Sequence, residues 1–193
     1  MAQDQAPKAF AVLGICGSLR AGSYNRALLR AAQKFAPASM TIEIFDLRDI
    51  PLYNYDVERI GVPAPVTAFK DAIRAADALL IATPEYQHGI PGVLKNALDW
   101  ASRPANESPL DGKTVALMGA SPGLTGTVRA QEQLRHTLAF NSAYTVLEPE
   151  VLVGRVHEKV DASGEFVDET AAPFIRKLLE NLESLAAALK TAF

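Results

Sequence analysis

Residues 9–29 read AFAVLGICGSLRAGSYNRALL, and the change of character along this stretch decides the fold. Ala9–Ile15 is an unbroken apolar run ending at Gly17, the pattern of a strand buried on both faces. Beyond the polar segment 17–25, Leu28, Leu29, Ala32 and Phe35 recur at helical spacing until Pro37 stops them. A buried strand passing through a Gly/Ser loop directly into a helix is the first half of a parallel strand–helix–strand unit.

Working outward, the unit repeats. Strands are expected at Met40–Phe45, Ala78–Thr83 and Thr114–Gly119, and the last strand is supplied by Tyr144–Leu147 together with Val151–Val153. Helices are expected at Val66–Ala75, Ile90–Trp100, Thr127–Phe140 and Thr170–Leu189, the last amphipathic with Phe174, Leu178, Leu182, Leu185 and Leu189 on one side. The Pro- and Tyr-rich stretch Pro51–Pro65 reads as a long loop. Five such alternations give an α/β, three-layer sandwich: a five-stranded parallel sheet with helices on both faces.

Composition agrees with one domain spanning residues 1–193, with 1–8 as a flexible N-terminal extension. The chain has 193 residues, about one domain's length at roughly 150 residues each. It is 49% hydrophobic and 21% charged, which excludes disorder and fibrous classes. A net charge of −3 argues against nucleic acid as the main partner. The apolar run Ala9–Cys16 is short and lacks a basic flank, and the tail carries Glu180, Glu183 and Lys190, so neither end inserts into a membrane. Cys16 is the one cysteine, so no internal disulfide or Cys-based metal site forms, and a soluble cytoplasmic protein is expected.

Ligands of open α/β sheets bind beyond the carboxyl ends of the strands, which selects three loops. The first, Gly17-Ser18-Leu19-Arg20-Ala21-Gly22-Ser23-Tyr24-Asn25, matches neither GxGxxG nor GxxxxGK[ST]. It sets Ser, Arg and Asn donors at a helix N-terminus, where the helix dipole and unpaired amides attract an anion such as a phosphate monoester. The competing reading is that Ser23 only caps the helix and Ser18 only satisfies its turn. The second loop, Pro84-Glu85-Tyr86-Gln87-His88-Gly89-Ile90-Pro91-Gly92, presents irregular backbone and the Tyr86 ring to a flat heterocycle, or is simply a tight turn. His88 is its histidine; His136 and His157 have no neighbours at metal-ligand spacing, and no metal is assigned. The third, Gly119-Ala120-Ser121-Pro122-Gly123-Leu124-Thr125-Gly126, allows close backbone approach. None of the three holds a nucleophile–base pair. Cys16 lies in a strand-like run and reads as a small buried apolar residue. Such a site leaves the chemistry to a cofactor.

Two of these segments carry a family resemblance. GSLRAGSYNRALL at 17–29 is similar to the G-S-x-R-x-x-S-x-N loop, and PEYQHGIPGVLKNALDW at 84–100 to the P-E-Y-N-x-S-x-P-G-x-L-K-N-A-I-D-W motif, of the NADPH-dependent FMN reductases. These proteins have a flavodoxin-like fold, and the chain resembles most the branch that reduces quinones, chromate, azo dyes and ferric complexes. The resemblance spans about residues 9–190. It implies non-covalent FMN as cofactor and NAD(P)H as co-substrate, with hydride transfer to the flavin and ping-pong reduction of small-molecule acceptors.

The site residues follow from the matched motifs. Ser18, Arg20, Ser23 and Asn25, with Leu19 and Tyr24 beside them, would hold the phosphate and ribityl chain. Pro84, Glu85, Tyr86, Gln87 and His88 would lie along the ring, which Ser121 and Gly123 meet from the third loop. No catalytic acid or base is implied; Tyr86 and His88 are the candidate proton donors. Gln87 stands where Asn is usual and Gly89 where Ser is usual, which leaves the ring contacts of those two side chains to other groups. Homodimers or homotetramers are implied, with Pro51–Pro65 near a neighbour. The alternatives are a flavodoxin-type electron carrier, against which the mild charge and the first loop argue, and a non-catalytic FMN- or ligand-binding module.

Overall fold

The computed structural model describes residues 9–192; the N-terminal extension expected over residues 1–8 lies outside the described residues. The apolar runs form the strands β1 (Phe10–Cys16), β2 (Met40–Phe45), β3 (Ala78–Ala82) and β4 (Thr114–Ala120). Every residue of β3 and β4 is buried, which is what a run without alternation requires. β2 keeps Met40 and Ile42 inside and turns Thr41 and Glu43 to solvent, as an edge strand with one covered face does.

All pairings are parallel and the order is β2-β1-β3-β4-β5, with the fifth position divided between two short strands. β5 (Tyr144–Thr145) pairs with the start of β4 at Thr114 and Val115, and β6 (Val151–Val153) with its end at Met118–Ala120. The two segments expected to supply the last strand are both strands of one lane, separated where Glu148 and Pro149 interrupt the ladder.

Helices cover both faces. On one side α1 (Tyr24–Phe35) and α6 (Ala172–Ala192) pack Leu28, Leu29, Leu178 and Leu182 against Val12, Leu80 and Met118. The other side joins α3 (Ala64–Ala75), α4 (Gly92–Ala101) and α5 (Val128–Phe140) through Phe69, Ile73, Leu98, Trp100 and Leu134 to Ile15, Leu79, Ile81 and Leu117. α6 begins at Ala172 rather than Thr170, with Pro173 in its first turn, where a missing N–H costs nothing. Phe174, expected on the buried side, is 56% exposed because it precedes the stretch in contact with the sheet.

The stretch expected as loop contains a helix, α2 (Tyr55–Ile60), which buries none of its own residues. Polar bonds hold it instead. Asn54 caps it by accepting from the Asp56 amide at 2.8 Å. Asn96 accepts from the Tyr53 amide and, with Trp100 Nε1, donates to the Pro51 carbonyl, each at 2.8 Å. The Tyr53 hydroxyl donates to Glu58 at 2.7 Å, and that bond to a carboxylate holds the Tyr53 phenol above its ordinary pKa. Among the described residues no helix is long and apolar enough to cross a membrane.

The strand order reverses between β1 and β3, so the crevice opens where the first and second loops leave the sheet.

Candidate active site

The first loop is a set of donors without acceptors. Ser23 caps α1 by accepting from the Arg26 amide at 3.3 Å. The backbone amides of Ala21, Gly22, Tyr24 and Asn25 meet no acceptor among the described residues. The N-terminus of a 12-residue helix and the residues just before it therefore carry a group of open N–H donors. Arg20 enters no ion pair there; its guanidinium rests 5.9 Å from the centre of the Tyr24 ring. Ser18 is buried in the floor, with its hydroxyl 3.5 Å from that of Tyr86 on the facing loop. The structure shows the capping reading of Ser23, while the amides around it stay open.

The second loop spends its donors internally. Tyr86 and Gly89 exchange backbone hydrogen bonds of 3.1 and 3.0 Å, closing a two-residue turn in which Gln87 (φ 50°) and His88 (φ 61°) are both left-handed. The Glu85 carboxylate caps α5, accepting from the amides of Arg129 at 2.9 Å and Ala130 at 3.3 Å. Tyr86 is 47% exposed, its ring free to face a ligand. Pro84 is buried where β3 ends.

Asn25 ties the third loop to the first. Its Nδ2 donates to the Ala120 carbonyl and its Oδ1 accepts from the Ala120 amide, both at 2.9 Å. Ser121 accepts from the Gly123 amide at 3.1 Å and lines the cleft. Gly119 is obligatory: a Cβ would lie 1.9 Å from Thr127 Oγ1 and 2.5 Å from the Thr83 carbonyl. Ser18, Arg20, Ser23, Tyr24, Asn25, Pro84, Glu85, Tyr86 and Ser121 consequently line one cleft.

Comparison with known proteins gives this cleft its context. The family model of the NADPH-dependent FMN reductases matches residues 10–158. The chain is 50% identical over 172 residues to the NAD(P)H-dependent FMN reductase of Pseudomonas aeruginosa, covering 89% of this chain and 92% of that one. It is 44% identical over 161 residues to a quinone reductase of Escherichia coli, covering 82% and 85%. Its backbone superposes on FerB, a flavoenzyme NAD(P)H:(acceptor) oxidoreductase from Paracoccus denitrificans, with a TM-score of 0.82 at 33% identity over 91% of this chain and 98% of that one.

The chain belongs to the NADPH-dependent FMN reductase family. As a member of that family it is an oxidoreductase whose chemistry runs through FMN and NAD(P)H.

Within this reductase fold, the sequence-derived site residues divide by what their side chains do. Arg20, Tyr24, Tyr86 and Ser121 present groups to the cleft, and Leu19 stands 42% exposed at its rim. The Asn25 and Glu85 side chains, expected as cofactor contacts, are committed to Ala120 and to α5; both build the cleft walls. Gln87 and His88 form the exposed tip of the turn, and Gly123 lies in the Ser121 turn. Gln133 was not legible beforehand: on α5, it donates to the His88 carbonyl at 3.3 Å and accepts from the Ile90 amide at 3.2 Å. A residue more than forty positions from the loop it holds leaves no mark in a local pattern.

The roomier cavity is elsewhere. About 560 Å³ opens at the amino ends of the strands among Arg74, Asp77, Asp111, Lys113, Tyr144 and Lys190. Its cations are already engaged: Arg74 with Asp71 at 2.7 Å, Lys190 with Asp77 at 2.6 Å, and Lys113 with the Ala76 carbonyl at 2.7 Å. Burial pushes the Lys113 ammonium below its ordinary pKa. Among the described residues no group of three or more His, Cys, Asp or Glu is placed to hold a metal ion.

Proposed function

We propose that the protein is an FMN-dependent NAD(P)H:acceptor oxidoreductase that reduces quinones, with chromate, ferric complexes and azo dyes as further acceptors. The observation that carries this reading is the cluster of unmatched amides at the start of α1, beside buried Ser18 and unpaired Arg20. Open N–H donors at a helix N-terminus with a guanidinium at the rim suit the phosphate of a mononucleotide. The residues that fit the cofactor are Ser18, Leu19, Arg20, Ser23, Tyr24 and Asn25 for its phosphate and ribityl end, Asn25 through its backbone amide. For the ring end they are Pro84, Glu85, Tyr86, Gln87 and His88, with Ser121 and Gly123 opposite.

When bound, FMN would supply the two-electron chemistry that links NAD(P)H oxidation to acceptor reduction in ping-pong alternation. The chain supplies position and charge. Arg20 and the α1 dipole offset the phosphate, and Ser121 lines the cleft. No side chain acts as acid or base in this reading; Tyr86 and His88 are the two proton donors to test, being the exposed titratable groups of the second loop.

The cleft encloses about 60 Å³, well below the roughly 300 Å³ at which pockets that bury small molecules begin. A flavin held there projects from the single chain and needs a second cover. That supports a homodimer or homotetramer, with Leu52 (85% exposed) and Ile60 (89% exposed) beside α2 as the apolar face offered to a neighbour. A cytoplasmic location fits the single unpaired cysteine.

The test is spectroscopic and kinetic. Purified protein should be yellow or take up FMN, its flavin band should bleach on adding NADPH or NADH, and a quinone should restore it. Steady-state rates with both nucleotides against quinones, ferric chelates, chromate and an azo dye should give parallel lines in double-reciprocal plots. Uptake of FMN without bleaching by either nucleotide would leave an electron carrier; failure to take up FMN removes the proposal altogether.

A further inference from the structure

The Gln87-His88 turn holds a shape that its own sequence disfavours. Both residues are left-handed; histidine tolerates that region better than most, but glutamine does not, and neither Gln87 nor His88 is the Gly, Asn or Asp that a two-residue mirror turn prefers. Something outside the turn must keep it, and two clamps from α5 do. Glu85, at the start of the turn, reaches to the amides of Arg129 and Ala130. Gln133 reaches back to its end and spans Gly89, donating to the carbonyl of His88 before it and accepting from the amide of Ile90 after it.

Gly89 explains why this second clamp is possible. Its φ lies outside the left-handed region, so the backbone does not demand glycine at 89. The space does: a Cβ would stand 2.7 Å from Gln133 Oε1 and 3.2 Å from Nε2. Because the atoms in the way are the far end of a flexible side chain, a residue added at 89 displaces the amide and takes its two hydrogen bonds with it.

We infer that Gln133 is the positioning residue of the ring-facing turn and that it forms a coupled pair with Gly89, the distant amide occupying the room a side chain at 89 would fill. The inference rests on the reading of this cleft as the flavin site and deepens it. Gln133 is not among the residues lining the cleft; it acts through the turn, setting the direction in which Tyr86, Gln87 and His88 face.

The experiment compares four proteins: wild type, Gln133→Ala, Gly89→Ser, and the double variant. The first readout is hydrogen exchange of the Gly89 and Ile90 amides in FMN-free protein, and the second is FMN affinity by fluorescence titration. Each single variant should speed exchange at Ile90 and weaken FMN binding, by about tenfold for two lost hydrogen bonds at a partly exposed site. Because the two bonds exist without FMN, the thermal midpoint of the FMN-free protein should fall by only about 2–4 °C in each single variant. A merely structural role would lower it with no change in FMN affinity. The double variant should be no worse than either single one and should recover part of the loss, since serine then has room and supplies a hydroxyl of its own. Additive effects in the double variant, or unchanged exchange at Ile90 in Gln133→Ala, overturn the inference. If wild type binds no FMN, the site reading fails, and the exchange comparison still decides whether the pair is coupled.

Discussion

The two ends of the sheet teach opposite lessons about where a ligand goes. At the amino ends lies the larger space, about 560 Å³, but each of its cations already holds a partner. At the carboxyl ends lies a cleft of about 60 Å³ whose amides at Ala21, Gly22, Tyr24 and Asn25 and whose Arg20 have none. Binding energy comes from donors that desolvate once and find an acceptor, not from room. The small cleft is therefore the proposed site, and the Asn25 and Glu85 side chains brace its walls.

The comparison can be broken most severely by filling the brace. Gly119→Ala forces a methyl group onto Thr127 and the Thr83 carbonyl and should cost about 3 kcal/mol. The cost would be seen as a thermal midpoint lower by roughly 6–12 °C for a chain of this size. Asn25→Ala comes next. It leaves the Ala120 amide and carbonyl without their partners in a buried setting, a loss of about 2–3 kcal/mol in urea titration with FMN affinity falling alongside. Arg20→Ala should separate the two properties. An exposed guanidinium without an ion pair contributes little to folding, so the FMN-free protein should keep its stability while FMN dissociates about 10–100 times more readily.

Changes at the other end should be quiet. Lys190→Ala removes an exposed pair with Asp77 and should cost less than about 1 kcal/mol, with no change in FMN affinity. A flavin defect in that variant would reverse the assignment of the two ends. The mildest perturbation is acid. Asp161, Glu165 and Asp168 lie together on the segment that fastens to α1. Asp161 is held below the ordinary carboxylate pKa by hydrogen bonds from Ser163 and the Glu165 amide, and Glu165 by bonds from Lys34 and Arg30. For Asp168 burial pulls upward, but bonds from Lys159 and Thr170 outweigh it. Depressed pKa values in the folded state mean stabilisation that is present at neutral pH and lost as pH falls through those values. Below about pH 4, exchange should quicken over residues 161–167 before the sheet opens, while FMN-free stability between pH 6 and 8 stays flat for these groups.

Much of the fold was legible because buried parallel strands leave unbroken apolar runs. β1, β3 and β4 stand where AFAVLGI, ALLIAT and TVALMG lie. What escaped was held by something other than apolar periodicity. α2 buries no side chain of its own and depends on Asn54, Asn96 and Trp100 for its bonds, so its sequence reads as loop. The fifth lane divides because its residues between Thr145 and Val151 leave the ladder, a matter of register that composition does not encode. In the site, the loops and their residue types could be read directly, but not which polar side chains stay open. Asn25 and Glu85 look like ligand contacts until Ala120 and the amides of α5 are seen to take them, and Gln133 looks like one more surface glutamine.

The central claim is that open amides at the start of α1 receive the flavin phosphate. Amide hydrogen exchange with and without saturating FMN tests it directly. Protection should appear at Ala21, Gly22, Tyr24 and Asn25, with residues 74–77 and 111–114 unchanged. Exchange at those four amides that is indifferent to FMN, or protection centred on the opposite end of the sheet, would contradict it.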